Sequence, residues 1–251
     1  MEISILTVVL NRSNEIKDSL ESLKRQTFKN IEHIIIDGGS TDGTLDILKE
    51  YVNSINKFKT VLISEKDKGL YNALNKGIKL ARGNIVGVLH AGDLFYDELV
   101  LERINKEFEE NPKLDVVYGD VLFFNAKGKI VRVSKPGKFS KEKILKYGWH
   151  PIHTAMFIKK EIYDKFGLYR EDFDISSDYE YMIRILLKGN LKVKYLSKFL
   201  VKMKTGGKSG NAPRKLIKKL WEDYRIIKKY KLPFYTVLMK RFYKLKEFIN
   251  V

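Results

Sequence analysis

Residues 34–44 read Ile34-Ile35-Ile36-Asp37-Gly38-Gly39-Ser40-Thr41-Asp42-Gly43-Thr44. Three successive β-branched residues describe a strand buried on both faces, and the acid that follows stands at its C-terminal tip. Gly38, Gly39 and Gly43 permit positive φ and let a ligand approach the backbone, while Ser40, Thr41 or Asp42 can cap the helix begun by Leu45-Asp46-Ile47-Leu48. Open α/β sheets hold nucleotides with such a strand-end acid, glycine turn and capped helix. A ligand-free β-to-α connection uses the same residues, and this segment alone does not separate the two.

Other nucleotide and phosphate chemistries fit poorly. A dinucleotide fingerprint needs G-x-G-x-x-G after the first strand, and Thr7-Val8-Val9-Leu10-Asn11-Arg12 has no glycine. A phosphatase-like D-x-D-G loop needs a carboxylate where Gly39 stands. The loop suits a mononucleotide.

Working outward, strands and helices alternate. Ile3 to Leu10, Ile31 to Ile36, Thr60 to Ile63 and Ile85 to Leu89 read as strands; Asn14 to Arg25, Leu45 to Val52 and Tyr71 to Ala81 read as helices. This rhythm predicts a Rossmann-like, mixed and mostly parallel sheet flanked by helices, with residues 1–93 as the nucleotide-binding half. Beyond Asp93 the spacing predicts a helix over Leu99 to Phe108 and a hairpin of Val116 to Phe124 with Ile130 to Val133 around Asn125-Ala126-Lys127-Gly128. A strand over His153 to Ile158 follows, then a helix from Asp178 to Leu187 capped by Ser176 or Ser177, and extended chain from Leu191 to Met203. Residues 94–210 form the acceptor half, and a basic helical tail, 211–251, is interrupted by Pro233.

The 251 residues suffice for one domain with an appendage. The absence of cysteine excludes disulfides and thiolate metal sites and suits a reducing compartment. No basic, apolar leader opens the chain and no apolar run is long enough to span a bilayer, so the expected location is cytoplasmic. The net charge of +17 is concentrated: residues 188–251 carry 19 Lys and Arg against three acids. Their apolar residues, among them Leu216, Ile217, Trp221, Leu238 and Phe242, recur at spacings of three and four, a pattern suited to the face of an anionic membrane. Closure of the catalytic domain or a dimer contact explains the same pattern. No recognised nucleic-acid module accompanies the charge, so no specific nucleic-acid partner is expected.

Further acids follow other strands: Glu65-Lys66-Asp67-Lys68-Gly69 after the third, and His90-Ala91-Gly92-Asp93 after the fourth, with Asn75-Lys76-Gly77 in the helix between. Asp37 and Asp67 can accept hydrogens from a base or ribose, and Asp93 can offer a hard oxygen to Mg²⁺ or Mn²⁺. Taken together with Thr7, Tyr71 and the late Ser177-Asp178-Tyr179-Glu180, this order resembles family 2 glycosyltransferases over residues 1–210.

That resemblance implies a GT-A type fold and an inverting transfer of sugar from a nucleotide-diphosphate-sugar donor to a hydroxyl acceptor, a glycan or lipid-linked molecule. By the same resemblance Thr7 and Asp37 contact the nucleoside, Asp67 and Lys76 lie around base and diphosphate, Asp93 binds the divalent cation, and Asp178 is the catalytic base. Gly206-Gly207-x-Ser209 resembles a loop that covers the donor. The sequence departs from the family pattern in having one aspartate in His90-Ala91-Gly92-Asp93, His90 in place of asparagine and Asn72 in place of aspartate. His153 falls near the acceptor side, where it binds phosphate, completes the metal shell or serves as a buried structural histidine. Two other functions share these motifs: a sugar nucleotidyltransferase, which lacks here its glycine-rich basic loop, and a catalytically silent nucleotide-binding module.

Overall fold

The computed structural model describes residues 1–55, 57–205 and 213–249. In chain order the elements are β1 (Ile3–Val9), α1 (Ser13–Lys24), β2 (Ile31–Asp37), α2 (Thr44–Ser54), β3 (Lys59–Ser64), α3 (Leu70–Leu80), β4 (Ile85–Val88), β5 (Asp93–Phe95) and α4 (Val100–Glu110). There follow β6 (Val116–Phe124), β7 (Ile130–Ser134), α5 (Lys141–Tyr147), a 3₁₀ turn (His153–Ala155), β8 (Met156–Lys159), α6 (Lys160–Phe166), α7 (Ser177–Lys188), β9 (Val193–Lys204), α8 (Pro213–Lys229) and α9 (Thr236–Ile249). The sheet runs β3-β2-β1-β4-β8-β6-β9-β5, with β7 beside β6.

The first four strands are parallel, and antiparallel β8 joins them to the second half. Central β1 and β2 are buried along almost their whole length, as their unbroken apolar runs require, whereas edge strand β3 is half exposed. Successive residues feed opposite faces. Leu6, Val86 and Val116 join a core with α3 and α7, while Ile5, Ile85 and Val117 join one with α4. In this order the chain reverses direction across the sheet between β1 and β4. The crevice at their C-terminal ends is therefore the topological switch point, where α/β sheets bind ligands.

Several expectations need correction. The cap position of α2 is Gly43, which has no side chain to bond; Asp42, one residue earlier, accepts the Thr44 amide at 3.0 Å, and Ser40 turns back to Asp37. Positive φ occurs at Gly39 and Gly43 but not at Gly38. The strand predicted from His153 starts at Met156, because the Ala155 amide closes a tight turn onto the Ile152 carbonyl and pairing with β4 and β6 begins beyond it. Neither Ser176 nor Ser177 caps α7: their hydroxyls donate to Asp223 and to the Arg170 carbonyl. Strand β5 and helices α5 and α6 had no predicted counterpart. The predicted hairpin forms, with Asn125 Oδ1 accepting the Lys127 and Lys129 amides. The Gly206-Gly207-x-Ser209 segment lies outside the described residues.

The C-terminal helices share the main core, where Ile226, Ile227 and Leu232 meet Tyr181 and Met182. Pro213 occupies the first position of α8, where a missing N–H costs nothing.

Candidate active site

The loops after β1 and β2 are knitted into one floor. The Asn11 amide donates to Ser40 Oγ at 2.8 Å, the Arg12 amide to Thr44 Oγ1 at 2.8 Å and the Thr41 amide to Asn11 Oδ1 at 2.9 Å. Asp37, fully buried, accepts from Ser40 and Ser64 hydroxyls at 2.5 and 2.6 Å, so its carboxylate holds this turn together. Thr7 directs its hydroxyl into the protein interior, 2.9 Å from His33 Nε2, and is 1% exposed. The side chains of Thr7 and Asp37 thus support the floor, with their polar atoms committed to protein partners.

Asp67 and Lys76 come together as expected. Lys76 Nζ lies 2.5 Å from Asp67 Oδ1 and 2.5 Å from Glu65 Oε1, so its charge is balanced locally. The other Asp67 oxygen, Oδ2, is buried without a protein partner and faces Gly38. An acceptor left open there suits an N–H or O–H of a bound nucleoside. Asn75, from the same motif, instead ties α3 to the chain near Tyr169, exchanging bonds of 2.8 and 3.0 Å with its backbone. Asn72 donates to Glu171 at 3.0 Å, which gives this departure from the family pattern a physical basis: aspartate there would face a second carboxylate.

At the switch point four side chains from distant segments meet. The Tyr71 hydroxyl donates to Asp178 Oδ1 at 3.1 Å, and His153 Nδ1 lies 3.3 Å from Asp178 Oδ2. On the far side of that imidazole, His153 Nε2 is 3.0 Å from His90 Nε2, a contact that needs one proton between the rings. Burial, aided by His153, pushes the His90 imidazole down to about 3. Burial opposes ionisation of Asp178, but His153, His150 and the Tyr179 amide outweigh it and hold the carboxyl well below its usual range. Asp178 is a quarter exposed, hence both ionised and reachable.

Asp93 is 6% exposed and opens β5, which is held in place by pairing with β9. Burial raises its carboxyl to about 7, with His153 opposing the rise. Its Oδ2 is buried without a partner, an oxygen that fits a hard divalent cation. Among the described residues no group of three His, Cys, Asp or Glu side chains forms a metal cage, so diphosphate oxygens and water would have to complete the shell.

The role of Tyr71 has no local signature, because its contact with Asp178 spans 107 residues. His153 joins the cluster at the base.

The family profile described as glycosyl transferase family 2 matches residues 4–167. The chain belongs to that family. This glycosyltransferase is 28% identical over 193 residues to a PGL/p-HBAD biosynthesis glycosyltransferase of Mycobacterium bovis, covering 77% of the present chain and 73% of the other. It is also 28% identical over 234 residues to an uncharacterized glycosyltransferase of Methanocaldococcus jannaschii, covering 90% and 79%. Among solved structures, S. aureus TarS 1-349 in complex with UDP-GlcNAc superposes with a TM-score of 0.70 at 18% identity, over 94% of this chain and 69% of that one. The mannosyltransferase PcManGT of Pyrobaculum calidifontis, in complex with GDP-Man and Mn²⁺, gives 0.68 at 15% identity over 95% and 68%. The glycosyltransferase spans 41% of the longer S. aureus TarS chain. These likenesses establish the GT-A type α/β fold.

Proposed function

We propose that this glycosyltransferase moves a sugar from a nucleoside diphosphate donor to a hydroxyl acceptor with inversion, Asp178 acting as base and Asp93 holding a divalent cation at the diphosphate. The observation that carries the reading is an accessible Asp178, kept ionised with His153 at 3.3 Å, together with a buried Asp93 whose Oδ2 has no protein partner. Inversion needs a proton acceptor on the acceptor side of the anomeric carbon and charge neutralisation on the leaving-group side. Asp178 Oδ2, oriented by His153, receives the acceptor's proton, and the open Asp67 oxygen accepts a hydrogen bond from an N–H or O–H of the nucleoside. The cation, when bound, supplies charge neutralisation of the leaving diphosphate. The complexes of the two structural neighbours with UDP-GlcNAc and with GDP-Man and Mn²⁺ support this ligand class.

The product belongs to cell-surface polysaccharide or glycolipid synthesis on this reading, with the enzyme peripheral on an anionic membrane. Leu216, Ile217, Trp221, Phe234, Leu238 and Phe242 on α8, α9 and their connection are 49–72% exposed, with exposed Arg214, Lys215 and Arg241 on the same helices. Among the described residues no helix is long and apolar enough to cross a membrane. Calorimetric titration with UDP, GDP and dTDP, with and without Mn²⁺, tests the donor assignment. One nucleotide should bind with Mn²⁺ enhancement that Asp93→Ala removes; binding of none, or enhancement unchanged in that variant, refutes it.

A further inference from the structure

The C-terminal helices carry a buried cluster of charge at the segment that precedes Asp178. Glu222 on α8 is 2% exposed and accepts three consecutive backbone amides, from Asp174 and Ile175 at 3.0 Å each and from Ser176 at 2.8 Å. Its neighbour Asp223, 4% exposed, accepts the Ser176 hydroxyl at 2.9 Å and Lys240 Nζ of α9 at 2.9 Å. Lys240 in turn sits 3.3 Å above the ring of Tyr179, the residue after Asp178. Lys218 adds an ion pair to Asp174.

Charges are a costly way to dock helices. Ile226, Ile227 and Leu232 already bury an apolar face against the core, and well-packed apolar residues generally stabilise as much as buried ions or more. The charged contacts gather on residues 172–180, around the N-terminal end of α7, where Arg225 also pairs with Asp172 at 3.1 Å and Lys229 with Glu180 at 2.7 Å. No side chain of the α7 cap position bonds the first turn, so its entry is held by a carboxylate from 46 residues away that accepts charge-assisted bonds and complements the helix dipole. Three adjacent amides held by one carboxylate leave little freedom in where the next residues begin the helix.

We infer that Glu222, supported by the Asp223–Lys240 pair, is a positioning residue for the catalytic base, and that the catalytic unit of this enzyme extends through α9 in place of ending before the tail. Glu222 acts by setting the start of α7 and with it the aim of Asp178 at the acceptor hydroxyl. Donor contacts on the β1, β2 and β3 loops lie on other elements and do not depend on it. The inference rests on the reading of Asp178 as base.

The test is a double-mutant cycle of Glu222→Gln and Asp178→Asn, read as nucleoside diphosphate released on transfer and as donor affinity by calorimetry. Glutamine keeps the shape but has one acceptor oxygen for three amides. Glu222→Gln should lower kcat by about 10- to 100-fold, the scale of a misplaced reacting group, while donor Kd stays within about twofold. In the Asp178→Asn background it should cause no further loss, because the group it positions is already disabled. An unchanged kcat, an equal loss in both backgrounds, or donor affinity falling in step with kcat overturns the inference. Should Glu222→Gln fail to fold, Asp223→Asn carries the same cycle through Ser176 and Lys240. Full turnover in Asp178→Asn alone would instead reject the base assignment, so the two failures are distinguishable.

Discussion

In the cation-free protein, Asp93→Asn should stabilise the fold, by an amount set by pH. Burial raises the Asp93 carboxyl from its ordinary 3.8 to about 7 in the native state, so the folded protein resists ionising it while the unfolded chain does not. Below pH 3.8 the group is protonated in both states and costs nothing. Between 3.8 and about 7 native stability falls by about 1.4 kcal/mol per pH unit, and above 7 the loss levels off at up to about 4 kcal/mol. Asparagine has nearly the same shape and does not titrate. Urea denaturation in EDTA at intervals from pH 4 to 8 isolates the effect, because the remaining titrations are common to both proteins. The two should coincide near pH 4, and the variant's advantage should grow to its plateau above pH 7. Mn²⁺ should then add to the stabilisation given by nucleoside diphosphate only in the wild type, through ligand linkage to the native state. A difference independent of pH, or one that shrinks as pH rises, would refute the argument that Asp93 is held ready for a cation at the expense of stability.

Since a protonated Asp93 offers no ligand, Mn²⁺-dependent donor binding should weaken about tenfold per unit as pH falls below about 7 and be flat above it, which calorimetry across pH 5 to 8 would check. Asp178→Asn should cut nucleoside diphosphate release by about 10²- to 10⁴-fold with donor affinity unchanged, since asparagine can still accept from Tyr71 but cannot take a proton. Gly87→Ala should destabilise by about 1–3 kcal/mol in denaturant titration, because its Cβ would stand 2.6 Å from buried Phe157 and 3.1 Å from Ile5. On anionic vesicles at low salt the protein should sediment, replacing Ile217, Trp221 and Phe242 by serine should release it, and absence of sedimentation by the wild type would discard the membrane proposal.

Local patterns determined much of the first half of this glycosyltransferase. Runs such as Ile34-Ile35-Ile36 need cover on both faces, and Asp42 and Gly43 open a helix wherever the strand ends, because strand period and turn chemistry act over a few residues. Asp67 beside Lys76 was legible for the same reason, being one strand-to-helix turn. Helix α5 carried readable signals too, a Ser140 cap and a left-handed Gly148, but its 7 residues are too few for a helical period to stand out. Tertiary structure alone decided what surrounds the base. Tyr71 and His153 reach Asp178, and His90 reaches His153, across up to 107 residues because the order and direction of the strands bring their segments to one end of the sheet. It also turned Thr7 inward to His33, and it gave Glu222 and Asp223, two acids in a basic helix, a purpose that charge counting hid. Periodicity states which face of an element is buried; only the packed chain states what that face meets, since partners are chosen by strand order and volume.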